Sequence, residues 1–165
     1  MVYIGQKGYT IHKDCLPIDE QNFIRKELQV TPFVPKSSPA KPTPFPVYRE
    51  SASKFYLPRH WAIETYGPAN EIKIKEGDTI STSFKGALRE TQKTAVNAFI
   101  KCAKKKGGGL LELYCGFGKT VCALYIISKL QKKTLIIVHK SFLADQWAER
   151  IRQFLPFATI VPYLL

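Results

Sequence analysis

Six consecutive residues offer the sharpest chemistry in this 165-residue sequence: Cys115, Gly116, Phe117, Gly118, Lys119 and Thr120. They follow a short apolar run at 110–114 and open a helical pattern at 119–130. A loop so placed can cradle phosphate. Glycines let backbone N–H groups turn inward around phosphate oxygens, and the N-terminus of the following helix adds partial positive charge. Lys119 has the reach to bridge β and γ phosphates, and the Thr120 hydroxyl suits a magnesium ion between them. The general phosphate-loop expression also asks for glycine at position 113, where this sequence has Leu113. A chance glycine-rich turn is the plainer account. Strand, loop, lysine, hydroxyl and helix arriving in that order argue against it.

Two clusters flank the loop. Upstream, Arg89 and Gln92 stand three residues apart, just before a helix predicted over 91–103. A glutamine amide offers both a donor and an acceptor, as reading an adenine edge requires, so Gln92 is the candidate base reader and Arg89 its support. Taken alone, Gln92 reads more readily as a solvated helix residue, and its position before the loop reverses that reading. Downstream, a strand pattern at 134–138 runs into His139, Lys140 and Ser141, then into a helix predicted over 142–154 with Ser141 as its cap. Lys140 supplies charge, and Ser141 with the N–H groups of the first turn can receive a nucleic-acid phosphate. Trp147 reads as core packing, and His139 carries no evident proton chemistry.

The loop, with glycine at 116 and Gly-Lys-Thr at 118–120 but none at 113, resembles motif I of superfamily 2 helicases. The Arg89-x-x-Gln92 element resembles the one that precedes motif I there, and 136–147 resembles motif Ia. The resemblance spans residues 48–156. It is to DEAD/DEAH-like helicases whose ATP-binding domain is of the type III restriction enzyme res-subunit and UvrB-like kind, including helicases of large DNA viruses and related repair and transcription helicases. The run Phe55-Tyr-Leu-Pro-Arg-His60, followed by Tyr66-Gly67, is similar to the lead-in of the viral members.

That resemblance implies an incomplete RecA-like α/β domain with a parallel sheet, using ATP and magnesium. It implies cofactor contacts from Arg89, Gln92, Cys115, Gly116, Phe117, Gly118, Lys119 and Thr120, with Lys119 and Thr120 catalytic and Thr120 the magnesium ligand. It places nucleic acid, DNA ahead of RNA, at Lys140 and Ser141, and implies ATP-driven strand separation or translocation. The acidic box that holds magnesium and positions water has no counterpart here, because Asp145 and Glu149 are the only acids after Lys119. The expectation is therefore the N-terminal part of a helicase, its partner being the remainder of the motor, with no ATP turnover by these residues alone. Two other classes stay open: a non-catalytic nucleic-acid-binding module with a vestigial nucleotide loop, and an unrelated phosphate-loop enzyme such as a small kinase. Arg89, Gln92 and the 140–147 segment argue against the last.

The elements that must position these residues read in four stretches. Residues 1–30 form an accessory segment with one short helix over 19–28. Residues 31–47 carry prolines at 32, 35, 39, 42, 44 and 46, which remove backbone donors and favour an extended linker. Residues 48–85 mix aromatic and basic side chains, with an alternating strand at 71–75 entering a hairpin at 76–78. Those aromatics either form a small core or stack on bases. Residues 86–165 alternate helices with strands at 110–114, 134–138 and 158–163, which predicts a parallel sheet with right-handed crossovers.

The formal charge of +12 favours polyanionic partners through release of condensed counterions. No run approaches the roughly 18 apolar residues of a membrane span, and the start lacks a signal-peptide pattern. An intracellular, soluble protein is expected, which for a viral member means host cytoplasm or viral factory, nucleus or virion. The four cysteines lack metal-site spacing, so reduced thiols are expected.

Overall fold

Strand β1 (Tyr3–Gly5) and strand β2 (Gly8–His12) form an antiparallel hairpin that the sequence pattern does not announce. Gly8 makes the return possible: its φ is +101°, and a Cβ there would sit 2.5 Å from the Leu57 carbonyl oxygen. The computed structural model that contains this hairpin describes residues 2–35 and 41–161. The chain divides into two units, Met1–Glu76 and Gly77–Leu165.

In the first unit, β2 pairs antiparallel with β6 (Lys54–Leu57), and β6 with β5 (Arg49–Glu50). Strand β7 (Glu71–Ile72) joins β1 in parallel, giving the order β5-β6-β2-β1-β7. Tyr9 and Ile11 of β2 and Phe55 and Leu57 of β6 alternate inward. They pack with Ile24 of helix α1 (Ile18–Glu27), the adjacent Leu28, and Ala62 of helix α2 (Arg59–Tyr66). The aromatics of 48–66 serve this core: Phe55 is fully buried, Trp61 meets Tyr66 edge-on, and the Tyr66 hydroxyl donates to the Glu20 carboxylate at 2.6 Å.

The hairpin expected at 71–78 does not form. Its strand shrinks to β7, whose partner is β1 rather than a neighbour across the turn, and Ile72 and Ile74 stay exposed. Within the proline-rich stretch, residues 36–40 lie outside the described residues. On either side, β3 (Gln29–Val30) pairs antiparallel with β4 (Phe45–Pro46).

The second unit rests on three helices, α3 (Glu90–Lys106), α4 (Lys119–Leu130) and α5 (Ser141–Phe154). Lys104, Lys105 and Lys106 close α3 against its negative end, and Gly107 turns left-handed at φ 77° to stop it. Val96, Phe117, Cys122 and Ile126 form the centre of this unit's core with Leu88. Burial raises the Cys122 thiol pKa, against an opposing pull from Arg89.

The structure does not bear out the predicted parallel sheet among the described residues. Among the described residues, 110–114, 134–138 and 158–161 bear no strand, and the rest of the third segment lies outside them. The α/β sheet of this chain is the largely antiparallel one of the first unit. A strand exists only where a partner completes its ladder, and these segments supply none to one another. Leu111 and Leu113 pack on the helical core, whereas Leu110 and Tyr114 face outward, as do Leu135 and Ile137 of the run at 134–138 that reads as a buried strand. Ser141 is not the cap of α5 either. Lys140 holds the flanking extended conformation and Ser141 is the first helical residue.

Among the described residues no helix is long and apolar enough to cross a membrane. The four cysteines form no disulfide. Among the described residues no cluster of His, Cys, Asp and Glu is fit to hold a metal.

Candidate functional site

The loop before α4 is shaped by two left-handed glycines, Gly116 at φ 81° and Gly118 at φ 92°. Gly116 faces open space, while a Cβ on Gly118 would meet the Gln92 amide nitrogen at 2.6 Å. Between them Phe117 is buried, its ring edge-on to Tyr114 with centroids 5.2 Å apart. The loop is thus anchored by a buried side chain and turned by residues without one. Cys115 is exposed at its start.

Arg89 and Gln92 converge on this anchor. The Gln92 amide is buried, its NH2 donating to the Phe117 carbonyl at 2.7 Å and its oxygen accepting from the Arg89 backbone N–H at 3.0 Å. The Arg89 guanidinium donates to the same Phe117 carbonyl. Two donors on one carbonyl orient the peptide that leads into Gly118 and hold the loop against the start of α3. Gln92 therefore has a bond at each end of its amide, one to its own helix start and one to the loop.

At the N-terminus of α4, Lys119 and Thr120 reach the surface. The Lys119 ammonium donates to the carbonyls of Leu113 and Tyr114, each at 2.9 Å, bending back over its own loop. A cleft of about 540 Å³ opens beside them, lined by Gly116, Gly118, Lys119 and Thr120 and, from α5, by Gln146, Arg150 and Phe154. The Arg150 guanidinium donates to Gln153 at 2.8 Å, and among the described residues it pairs with no carboxylate. Gln146 and Arg150 escaped the sequence reading. Their four-residue spacing puts both on one face of α5, a signal readable only once α5 is known to pack on α4.

Lys140 and Ser141 stand exposed at the opening of α5, where the first turn leaves backbone N–H groups without intrahelical partners. His139 is exposed beside them and Trp147 is half-buried. The fold thus gathers Arg89, Gln92, Phe117, Gly118, Lys119 and Thr120 around one loop, with Cys115 and Gly116 on its open side, and sets Lys140 and Ser141 at the start of the helix that lines the cleft.

The arrangement can hold an anion. Two left-handed glycines, a helix N-terminus and two cations meet at one cleft with no acidic residue in its lining. Residues 85–161 match the family described as type III restriction enzyme, res subunit. The chain is 32% identical over 154 residues to a protein of Acanthamoeba polyphaga mimivirus named for an inferred ATP-dependent RNA helicase activity, covering 90% of this chain and 30% of that protein. It is 39% identical over 87 residues to an inferred helicase of Invertebrate iridescent virus 3, covering 53% and 26% of the two. A DNA 3'-5' translocase of Sulfurisphaera tokodaii is 37% identical over 100 residues, covering 58% and 22%. The chain spans under a third of the length of these curated relatives. By the motifs of its second unit and by these matches, the chain belongs to the superfamily 2 helicase family.

Proposed function

We propose that this chain is the nucleotide-gripping front of an ATP-dependent superfamily 2 helicase or translocase, with the loop at 115–120 as the phosphate cradle of a RecA-like domain. The observation that carries the reading is the loop itself. Gly116 and Gly118 hold left-handed conformations that turn the chain into α4, and they deliver Lys119 and Thr120 to the N-terminus of that helix beside the cleft, where the first-turn N–H groups can meet an anion.

In this reading Lys119 leaves the Leu113 and Tyr114 carbonyls to bridge the terminal phosphates, while Thr120 binds magnesium through its hydroxyl. Magnesium would neutralise phosphate charge there. Gln92 and Arg89 hold the loop through Phe117, and the remaining valences of the Gln92 amide meet the base. Cys115 and Phe117 supply backbone to the cradle. Lys140 and Ser141 take nucleic-acid phosphates, DNA ahead of RNA. Asp145 and Glu149, the only acids after Lys119, both lie on α5, so the reading assigns nucleotide binding rather than turnover to these residues, and turnover to the motor's remainder.

Nucleotide binding by calorimetry and oligonucleotide binding by anisotropy, on wild type and Lys119→Ala, test the division of labour. Removing one charged donor to phosphate should weaken ATP binding about 10- to 100-fold and leave salt-dependent oligonucleotide binding intact. Equal loss of both would sink it.

A further inference from the structure

A second cleft, in the first unit, has the chemistry of a ligand site that the phosphate loop does not account for. It measures about 490 Å³, and its lining includes Lys7, Arg49 and Arg59 among Phe45, Tyr48 and Tyr56. No acidic side chain lines it. Glu50, the acid next to Arg49, is already engaged, accepting from Lys13 at 2.8 Å and from Arg25 at 3.0 Å. Among the described residues none of the three cations forms a salt bridge.

The sheet explains how the groups meet. Arg49 of β5 stands opposite Tyr56 of β6, and the Lys7 ammonium from the β1–β2 turn lies 4.9 Å from the centre of the Tyr56 ring. Arg59 begins α2 directly after β6, and its Nε is buried with no hydrogen-bond partner. An unmet guanidinium N–H out of contact with water is costly. Arg59 also lines the cleft, so an anion entering there finds this guanidinium short of acceptors. A phosphate answers that need with several oxygens at once, and Arg49 and Lys7 add charge at the rim.

Phosphate alone would leave the aromatic side of the cleft unused. Tyr48 is half-buried and Phe45 exposed, and an aromatic beside clustered cations is the pairing that takes a base and its backbone together. We propose that this cleft binds a nucleotide unit, its phosphate held by Arg59, Arg49 and Lys7 and its ring packed against Tyr48 and Phe45, and that a single nucleic-acid strand supplies it. The choice of a strand over a free nucleotide rests on the helicase reading; the cleft itself does not.

The test uses the full 165-residue chain with a fluorescent oligothymidylate, followed by anisotropy across a series of salt concentrations, and thymidine monophosphate by calorimetry. Arg59→Gln removes the half-buried cation; Lys7→Ala and Arg49→Ala alter exposed residues and keep the test valid if Arg59→Gln disturbs folding. Each variant should weaken oligonucleotide binding several-fold and reduce the slope of log K against log salt by about 0.7, the value of one single-strand phosphate contact. ATP binding should not change in any of them, and Lys119→Ala should leave the oligonucleotide effect in place. Loss of oligonucleotide binding, with or without loss of the monophosphate, supports the strand; loss of the monophosphate alone keeps the nucleotide cleft but removes the strand. Unchanged affinity and slope for all three variants with both ligands would overturn the proposal, whatever becomes of ATP binding.

Discussion

Gly116 and Gly118 look interchangeable in sequence, yet their surroundings separate them. Both hold left-handed φ, which costs an L-residue about 1–2 kcal/mol. At Gly116 that strain is the whole penalty of a methyl group, since nothing lies within 4 Å. At Gly118 the methyl also strikes the Gln92 amide, 2.6 Å away, and displaces the donor that holds the Phe117 carbonyl. Leaving that buried amide unmet adds about 1–3 kcal/mol. Urea unfolding should therefore find Gly118→Ala less stable than Gly116→Ala by about that amount, and equal midpoints would refute the account of the loop's anchoring. The same contact marks what sequence could convey. Gln92 was recognisable as a site residue from its place before the loop, but its bond to Phe117 closes across 25 residues, and no local pattern encodes it.

Helix α5 carries the consequence at the scale of elements. Its opening residues, Lys140 and Ser141, are where nucleic acid is proposed to bind, and its Gln146 and Arg150 line the phosphate-loop cleft. Arg150→Ala should weaken ATP binding several-fold, more at low salt than at high salt, with Arg150→Lys retaining part of the affinity. Calorimetry at two salt concentrations checks this, and unchanged affinity would leave Arg150 a lining residue only. The other end of α4 depends on Gln131, left-handed at φ 52°, whose side chain bonds the Thr82 backbone on both its N–H, at 3.2 Å, and its carbonyl, at 2.6 Å. Gln131→Ala keeps the strained φ and loses both bonds, so thermal unfolding should show a loss of about 1–3 kcal/mol. Helices α1, α3, α4 and α5 were legible, though α2 was not, because each carries its signal locally: Ala95, Val96, Phe99 and Ile100 share one face of α3, and Gly107 stops it. The strands expected in the second unit were not legible. Leu111 and Leu113 turn inward, but Leu135 and Ile137 face outward, and a ladder depends on a partner elsewhere in the chain. For the same reason β1 and β2 escaped notice, both being short, with β2 completed by β6 some fifty residues on and β1 by β7 further still.

For the whole molecule, charge is the property that sequence states most directly, and its partition follows the two units. Residues 77–165 hold 14 basic and five acidic groups, whereas residues 1–76 hold 11 and eight. The first unit is thus closer to balance, and it gains stability from an ion cluster that acid removes. Glu50 accepts from Arg25 and Lys13, and those hydrogen bonds hold its carboxyl below the ordinary glutamate range against the opposing effect of burial. A depressed folded-state pKa stabilises the fold fully above the unfolded value, about 4.3, and that contribution fades as pH falls through the folded value. Protonation also raises the positive charge of a chain already at +12, so repulsion works in the same direction. The chain has two tryptophans, Trp61 in the first unit and Trp147 in the second, so a Trp147→Phe background lets Trp61 fluorescence report the first unit alone. In that background, lowering pH from 7 to 3 should reduce the first unit's melting temperature. Glu50→Gln should start lower at pH 7 and lose less on acidification, because the charge that acid would remove is already gone. Parallel decline of both proteins would show that the Glu50 cluster does not set the acid response and that general repulsion does.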